Sequence, residues 1–164
     1  MARKVFFSFH YKRDSVRAGQ IRNSNVVKNR GIETSDFIDA AKWEEVQGKG
    51  DQAIKDWIAS QLNGTSVTAV LIGARTAGRK WIQYEINESL KHRNGLLGIY
   101  IHNCPLFDSS CDTKGINPFD NLTLTINGVK RKLSEIYKTY DWIDDDGRSN
   151  LGSWVEAAAK QAGR

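Results

Sequence analysis

A chain of 164 residues with 40% hydrophobic and 26% charged side chains has the size and composition of one ordinary globular domain, which excludes a disordered tract and a scaffold dependent on disulfides. The net charge of +5 is concentrated: within residues 1–30 eight Lys or Arg face one Asp, a lobe that attracts phosphates. Cys104 and Cys111 form no CxxC pair, and His10, His92 and His102 have no metal-ligand spacing, so the reading is reduced thiols, no metal and a cytoplasmic location. "KVFFSF", with β-formers from Lys4, predicts a buried strand up to Phe9. Its apolar run is too short for a signal peptide, and no run approaches the ~20 apolar residues of a membrane span. "SVRAGQIRN" predicts a weak helix interrupted in propensity by Gly19. "NVVKN" and "DFID" are short extended candidates, followed by a loop from Asp39 to Trp43.

The segment "GDQAIKDWIASQLNG" gives the clearest helix. Ile54, Trp57, Ile58 and Leu62 share one face, and Gly64 can close the last turn. "SVTAVLIG" is a continuous β-branched run, as expected of a strand covered on both faces. A helix over Lys80–His92 and a strand "LLGIYIH" follow. Residues 103–121 read as an irregular loop, and an insertion is expected over about 103–135, ending in a hairpin turned by Asn127-Gly128. "SEIYKTYDWI" predicts one more short helix or strand, and "NLGSWVEAAAKQAG" a closing helix.

Strands alternating with helices imply right-handed crossovers and a parallel sheet. The expected architecture is a single α/β domain over 1–164, flavodoxin-like, with about five parallel strands. Ligands in such sheets bind where the strands end. Those ends carry the segment after Phe9, the Asp39–Trp43 loop and the loop from Gly73 into the helix that holds Glu85.

Several motifs fail on inspection. "QGKGDQA" lacks both phosphate-loop spacings, and in "DWIDDDG" a tryptophan falls where the first calcium ligand belongs. The strand ends "SFHY" and "LIGA" carry no acidic cluster, which argues against a receiver-like phosphoacceptor domain. The basic residues are not interleaved with aromatics, so nucleic acid is not an expected partner, and neither is a membrane.

Three stretches in order resemble the motifs of TIR domains. "KVFFSFHYKRD" is similar to the first, "FIDAAKW" with the following helix to the second, and "VTAVLIGARTAGRKWIQYEI" to the third. The likeness spans roughly residues 4–102. "YDWIDDDG" followed by "SWV" narrows it to the TIR proteins of bacterial Thoeris anti-phage systems. The resemblance implies the three-layer TIR fold and an NAD+ glycohydrolase or ADP-ribosyl cyclase, with NAD as substrate and no separate cofactor. It implies a cyclic ADP-ribose isomer that activates a separate effector protein, and self-association of the domain. It makes Glu85 the catalytic residue. Position alone would read Glu85 as a solvated helix residue.

A lone carboxylate suits the chemistry. Breaking the nicotinamide–ribose bond passes through an oxocarbenium-like centre, and nicotinamide leaves neutral without a general acid. Ser8, Phe9, His10, Lys12, Arg13, Asp39 and Trp43 are the expected substrate contacts, with Lys12 and Arg13 facing the pyrophosphate and Trp43 or Phe9 stacking on a ring. A non-enzymatic TIR-like interaction module, with Glu85 as surface decoration, is the alternative reading.

Overall fold

The computed structural model describes residues 3–24, 27, 32–35 and 40–164. In chain order β1 (Arg3–Ser8) leads into α1 (Tyr11–Arg22), β2 (Ile32–Thr34), α2 (Ala40–Gln47), α3 (Asp51–Leu62) and β3 (Val67–Ile72). Then come α4 (Lys80–Lys91), β4 (Gly95–Tyr100), a 3-10 turn at Pro118–Asn121, and the hairpin strands β5 (Thr123–Ile126) and β6 (Val129–Lys132). The chain finishes with α5 (Leu133–Ile136), β7 (Thr139–Asp141) and α6 (Gly147–Gln161).

Five strands form one sheet in the order β2-β1-β3-β4-β7, every pair parallel. All six residues of β3 are buried, which explains its unbroken apolar run. Side chains alternate across the strand. Val67, Ala69 and Leu71 belong to the same core as Leu151, Trp154 and Val155 of α6. Val70 and Ile72 pack with Ile82 and Ile86 of α4. The sheet is thus covered on both faces, giving the expected three layers. Among the described residues no helix is long and apolar enough to cross a membrane.

Several elements differ from the sequence expectation. Helix α1 begins at Tyr11, ahead of the predicted "SVRAGQIRN", because His10 caps it: the Arg13 backbone N–H donates to His10 Nδ1 at 3.4 Å. The expected loop up to Trp43 is instead the start of α2, whose Trp43 and Val46 are buried. The second strand falls on Ile32–Thr34, while the extended candidate "DFID" and most of "NVVKN" lie outside the described residues. "SEIYKTYDWI" supplies both a helical turn, α5, and the fifth strand, β7. Residues 103–117 are irregular, but the chain that follows, up to about residue 135, is not peripheral. Phe119 and Leu133 are fully buried in the core beside α4. In the hairpin Asn127 (φ 51°) and Gly128 (φ 79°) form the left-handed two-residue turn that an Asn-Gly pair favours.

The parallel register sets Ser8 opposite Val70, so β1 and β3 end at the same edge of the sheet. The β3–α4 loop leaves that edge at Gly73, where there is no room for a side chain. A Cβ on Gly73 would lie 2.2 Å from an Asp14 carboxylate oxygen. A Cβ on Gly115 would lie 2.1 Å from the Gly73 carbonyl oxygen. The Gly73 N–H donates to Thr76 Oγ1 at 2.8 Å, which folds the loop back on itself.

Candidate active site

A cleft of about 520 Å³ opens where β1 and β3 end. The β1–α1 junction supplies Phe9, His10, Tyr11 and Lys12, and α2 supplies Trp43 and Gln47. The opposite wall is the β3–α4 loop with Arg75, Ala77, Gly78 and Arg79, and α4 contributes Lys80, Trp81, Ile82 and Glu85.

Glu85 lies on the second turn of α4, on the face that also carries Ile82, Ile86 and Ser89. It is fully buried. The Ser8 hydroxyl, from the end of β1, donates to its Oε2, and the Tyr11 hydroxyl donates to its Oε1 at 3.1 Å. Burial pushes the Glu85 carboxyl up to about 8, against the pull of the Ser8 and Tyr11 hydrogen bonds, which favour the charged form. Burial also pushes the Tyr11 phenol well above its ordinary range, with the neighbouring Glu85 adding to the rise, so Tyr11 remains a donor. The Ser89 hydroxyl donates to the Glu85 backbone carbonyl at 2.7 Å and accepts from Thr68 on β3 at 2.7 Å, tying this turn of α4 to the sheet.

One wall is aromatic. The Tyr11 ring lies 4.5 Å from Phe9 and 4.7 Å from Trp43, and Trp57 of α3 meets both Tyr11 and Trp43 edge-on. Such clusters prefer tilted and edge arrangements. His10 is pushed down to about 4, first by burial and then by the charges of Arg79, Arg13 and Arg75, so it is neutral near pH 7. Since its Nδ1 accepts from the Arg13 amide, Nε2 carries the proton and is a donor.

Of the residues expected at the site, Phe9, His10, Lys12, Trp43 and Glu85 line the cleft. Trp43 is both a core residue and a wall, only 5% exposed. Ser8 lies behind the wall and reaches the cleft only through Glu85. Arg13 is engaged elsewhere: its guanidinium holds Asp112 of the irregular segment after β4 through contacts of 2.8 and 3.0 Å. Asp39 lies outside the described residues. Lys12 pairs with Glu44 at 3.2 Å on the rim. Sequence reasoning missed Tyr11, which stands three residues after Ser8 across the strand–helix junction, a spacing without periodic signal. Trp81 is half-buried, packing against the core and also lining the cleft, edge-on to Tyr84 at 5.5 Å. Sequence reasoning also passed over Arg75 and Arg79. Their signal was available: two arginines around a glycine in "GARTAGRK", directly after a buried strand. Both cysteines are free, Cys104 buried and Cys111 exposed. Among the described residues no cluster of His, Cys, Asp or Glu could hold a metal ion.

A parallel sheet in the order β2-β1-β3-β4-β7, with a buried glutamate on the helix that follows β3, is the arrangement of a TIR-like domain. Residues 6–105 match the family described as "Thoeris protein ThsB, TIR-like domain". Over 193 aligned positions the chain is 34% identical to a Bacillus cereus (strain MSX-D12) protein named "Putative cyclic ADP-D-ribose synthase ThsB1", covering 94% of this chain and 100% of the relative. The chain belongs to the Thoeris ThsB TIR-like family.

Proposed function

We propose that this protein cleaves the nicotinamide–ribose bond of NAD and closes the remaining ADP-ribosyl group on itself, releasing a cyclic ADP-ribose isomer. The product then activates a separate effector protein in anti-phage defence. The observation that carries this reading is Glu85: a fully buried carboxylate at an aromatic cleft, each oxygen accepting from a fixed hydroxyl.

The chemistry follows from that setting. Near pH 7 burial holds Glu85 mostly protonated. The positive pyridinium of NAD, brought alongside, favours the ionised form. As the C1′–N bond breaks, its electron pair leaves with nicotinamide, which becomes neutral. The positive charge passes to the ribosyl oxocarbenium, where a preorganised carboxylate stabilises it most. Glu85 is the catalytic residue in this scheme, and Ser8 and Tyr11 are positioning residues that hold it and favour its charge. The aromatic wall restricts water, and a nucleophile on the same substrate, held close, forms the new bond to C1′. Attack by water would give linear ADP-ribose instead. The name borne by the Bacillus cereus relative supports the cyclic product.

The test is incubation of the purified protein with NAD, the products being resolved by mass and retention time. Equal amounts of nicotinamide and a product with the mass of cyclic ADP-ribose are expected, and Glu85→Gln should slow the formation of both by about 10²–10³-fold. Linear ADP-ribose as the sole product would overturn the cyclase reading. Release of nicotinamide by Glu85→Gln at the wild-type rate would overturn the role of the carboxylate.

A further inference from the structure

Among the described residues five cationic side chains stand at or beside the cleft, and three are already neutralised. Lys12 pairs with Glu44, and Arg13 grips Asp112. Lys80 meets Asp51 at 2.6 Å while its ammonium lies 4.7 Å from the centre of the Trp81 ring. Arg75 and Arg79 are different. Both line the cleft, both are exposed, and neither forms an ion pair with any described residue. The charges of Arg79 and Arg75 act on His10, as does that of Arg13, which is already held by Asp112. Arg75 and Arg79 sit four residues apart on one short loop, whose turn is made by Gly78 in the left-handed region (φ 81°). Nothing lies within 4 Å of where a Gly78 Cβ would be, so glycine serves the backbone turn there rather than close packing.

The cleft is therefore electrically lopsided. Among the described lining residues the acidic one is Glu85, which is fully buried, while the rim formed by the β3–α4 loop carries two uncompensated guanidiniums. A ligand that matches this needs a cationic or cation-forming group for the carboxylate and a multivalent anion for the rim. Guanidiniums present their N–H donors in a planar fork that fits phosphate oxygens bidentately, and they stay charged at any working pH. The neutral His10 adds an uncharged N–H donor beside them. We propose that Arg75 and Arg79, not Arg13, grip the diphosphate of the dinucleotide, so that the β3–α4 loop selects dinucleotides over nicotinamide nucleosides. The proposal rests on the NAD-cleaving reading for the identity of the ligand, but its anion chemistry can be read without turnover.

The probe is ADP-ribose, which carries the diphosphate and no scissile nicotinamide. Its affinity is measured by calorimetry at two ionic strengths for the wild type, for Arg75→Ala/Arg79→Ala and for Arg13→Gln. The double variant should bind about a hundredfold more weakly and show a flatter salt dependence, as expected when charge-assisted contacts are lost. Arg13→Gln should stay within about threefold of wild type, its charge being compensated by Asp112. Both loop side chains are solvent-exposed, so an unchanged melting temperature should accompany the loss. With NAD, KM should rise more than kcat falls. Failure of the wild type to bind ADP-ribose would overturn the proposal. So would unchanged affinity in the double variant, or a loss in Arg13→Gln as large as that in the double variant. If ADP-ribose binds through the two arginines but NAD is not cleaved, the cleavage reading falls and the grip stands. If NAD is cleaved with an unaltered KM in the double variant, the reverse holds.

Discussion

Ser8 and Glu85, 77 positions apart in the chain, meet in a buried hydrogen bond in which the serine hydroxyl donates to the carboxylate. One is the last residue of β1 and the other lies on the second turn of α4. The parallel pairing of β1 with β3 sets the distance between them, since α4 hangs from the end of β3. A carboxyl without such a donor would be harder still to ionise in this environment.

The pH dependence of turnover should report this bond. Below about 8 kcat/KM for nicotinamide release should rise with pH as Glu85 ionises, then level off. Ser8→Ala removes a donor that favours the charged form. A hydrogen bond to a charged group contributes about 1.5–3 kcal/mol, so the rising limb should move up by about one pH unit or more. Tyr11→Phe should shift it the same way. A pH–rate profile for each variant checks this, and an unmoved limb in both would detach the hydroxyls from Glu85.

Glu85→Gln keeps the shape of the side chain and removes its charge. Turnover should fall by about 10²–10³-fold, the usual cost of deleting one preorganised electrostatic contact, with far less effect on substrate affinity. Rapid-mixing measurements of nicotinamide release and calorimetry with the product separate the two.

The same residue should tilt stability against pH. Glu85 is held near 8 when folded against an ordinary value of 4.5, so the folded state retains the proton. Its contribution is complete below the lower value and is lost as pH rises through the upper one. Wild type should therefore lose melting temperature from about pH 4.5 to about 8 and then level off, and Glu85→Gln should lose much less between pH 6 and 8. Asp14, raised to about 6 chiefly by burial, acts over a lower window and should leave a slope there in both proteins. A melting curve for Glu85→Gln that falls as steeply as wild type above pH 6 would contradict the assignment.

Gly73→Ala should destabilise the fold by about 1–3 kcal/mol, because the new methyl would meet the Asp14 carboxylate. In an Asp14→Ala background the penalty should shrink, as expected for residues in contact. Urea unfolding of the four proteins in this cycle measures the coupling, and simple additivity would place the clash elsewhere.

The layers of the fold were legible because the interior strands advertise themselves. "VTAVLI" and "LLGIY" are apolar without alternation, which fits strands covered on both faces. Helix α3 was legible from the one-sided spacing of Ile54, Ile58 and Leu62. Helix α2 was not, since its mixture of alanines, charges and a single tryptophan has little periodicity, and Trp43 finds its place only against Tyr11 and Trp57. The irregular chain from residue 103 was legible, but the burial of Phe119 and Leu133 depends on contacts distant in sequence. At the site, Glu85 stood out through its resemblance-bearing motif. Its partner Tyr11 did not, because a hydroxyl becomes informative only once the carboxylate it meets is known. Arg13 misled for the same reason: Asp112, which neutralises it, is 99 residues away.

Among the described strands β5 and β6 pair only with each other, and the hairpin ends in an exposed Asn127-Gly128 turn. Its strands meet the body of the protein through Leu124 rather than through the tip. Such a tip is where added chain is tolerated best. A short epitope or fluorophore-accepting peptide spliced between Asn127 and Gly128 would give a handle for tracking the molecule in living bacteria during infection, carried on an element that contributes nothing to the walls of the cleft.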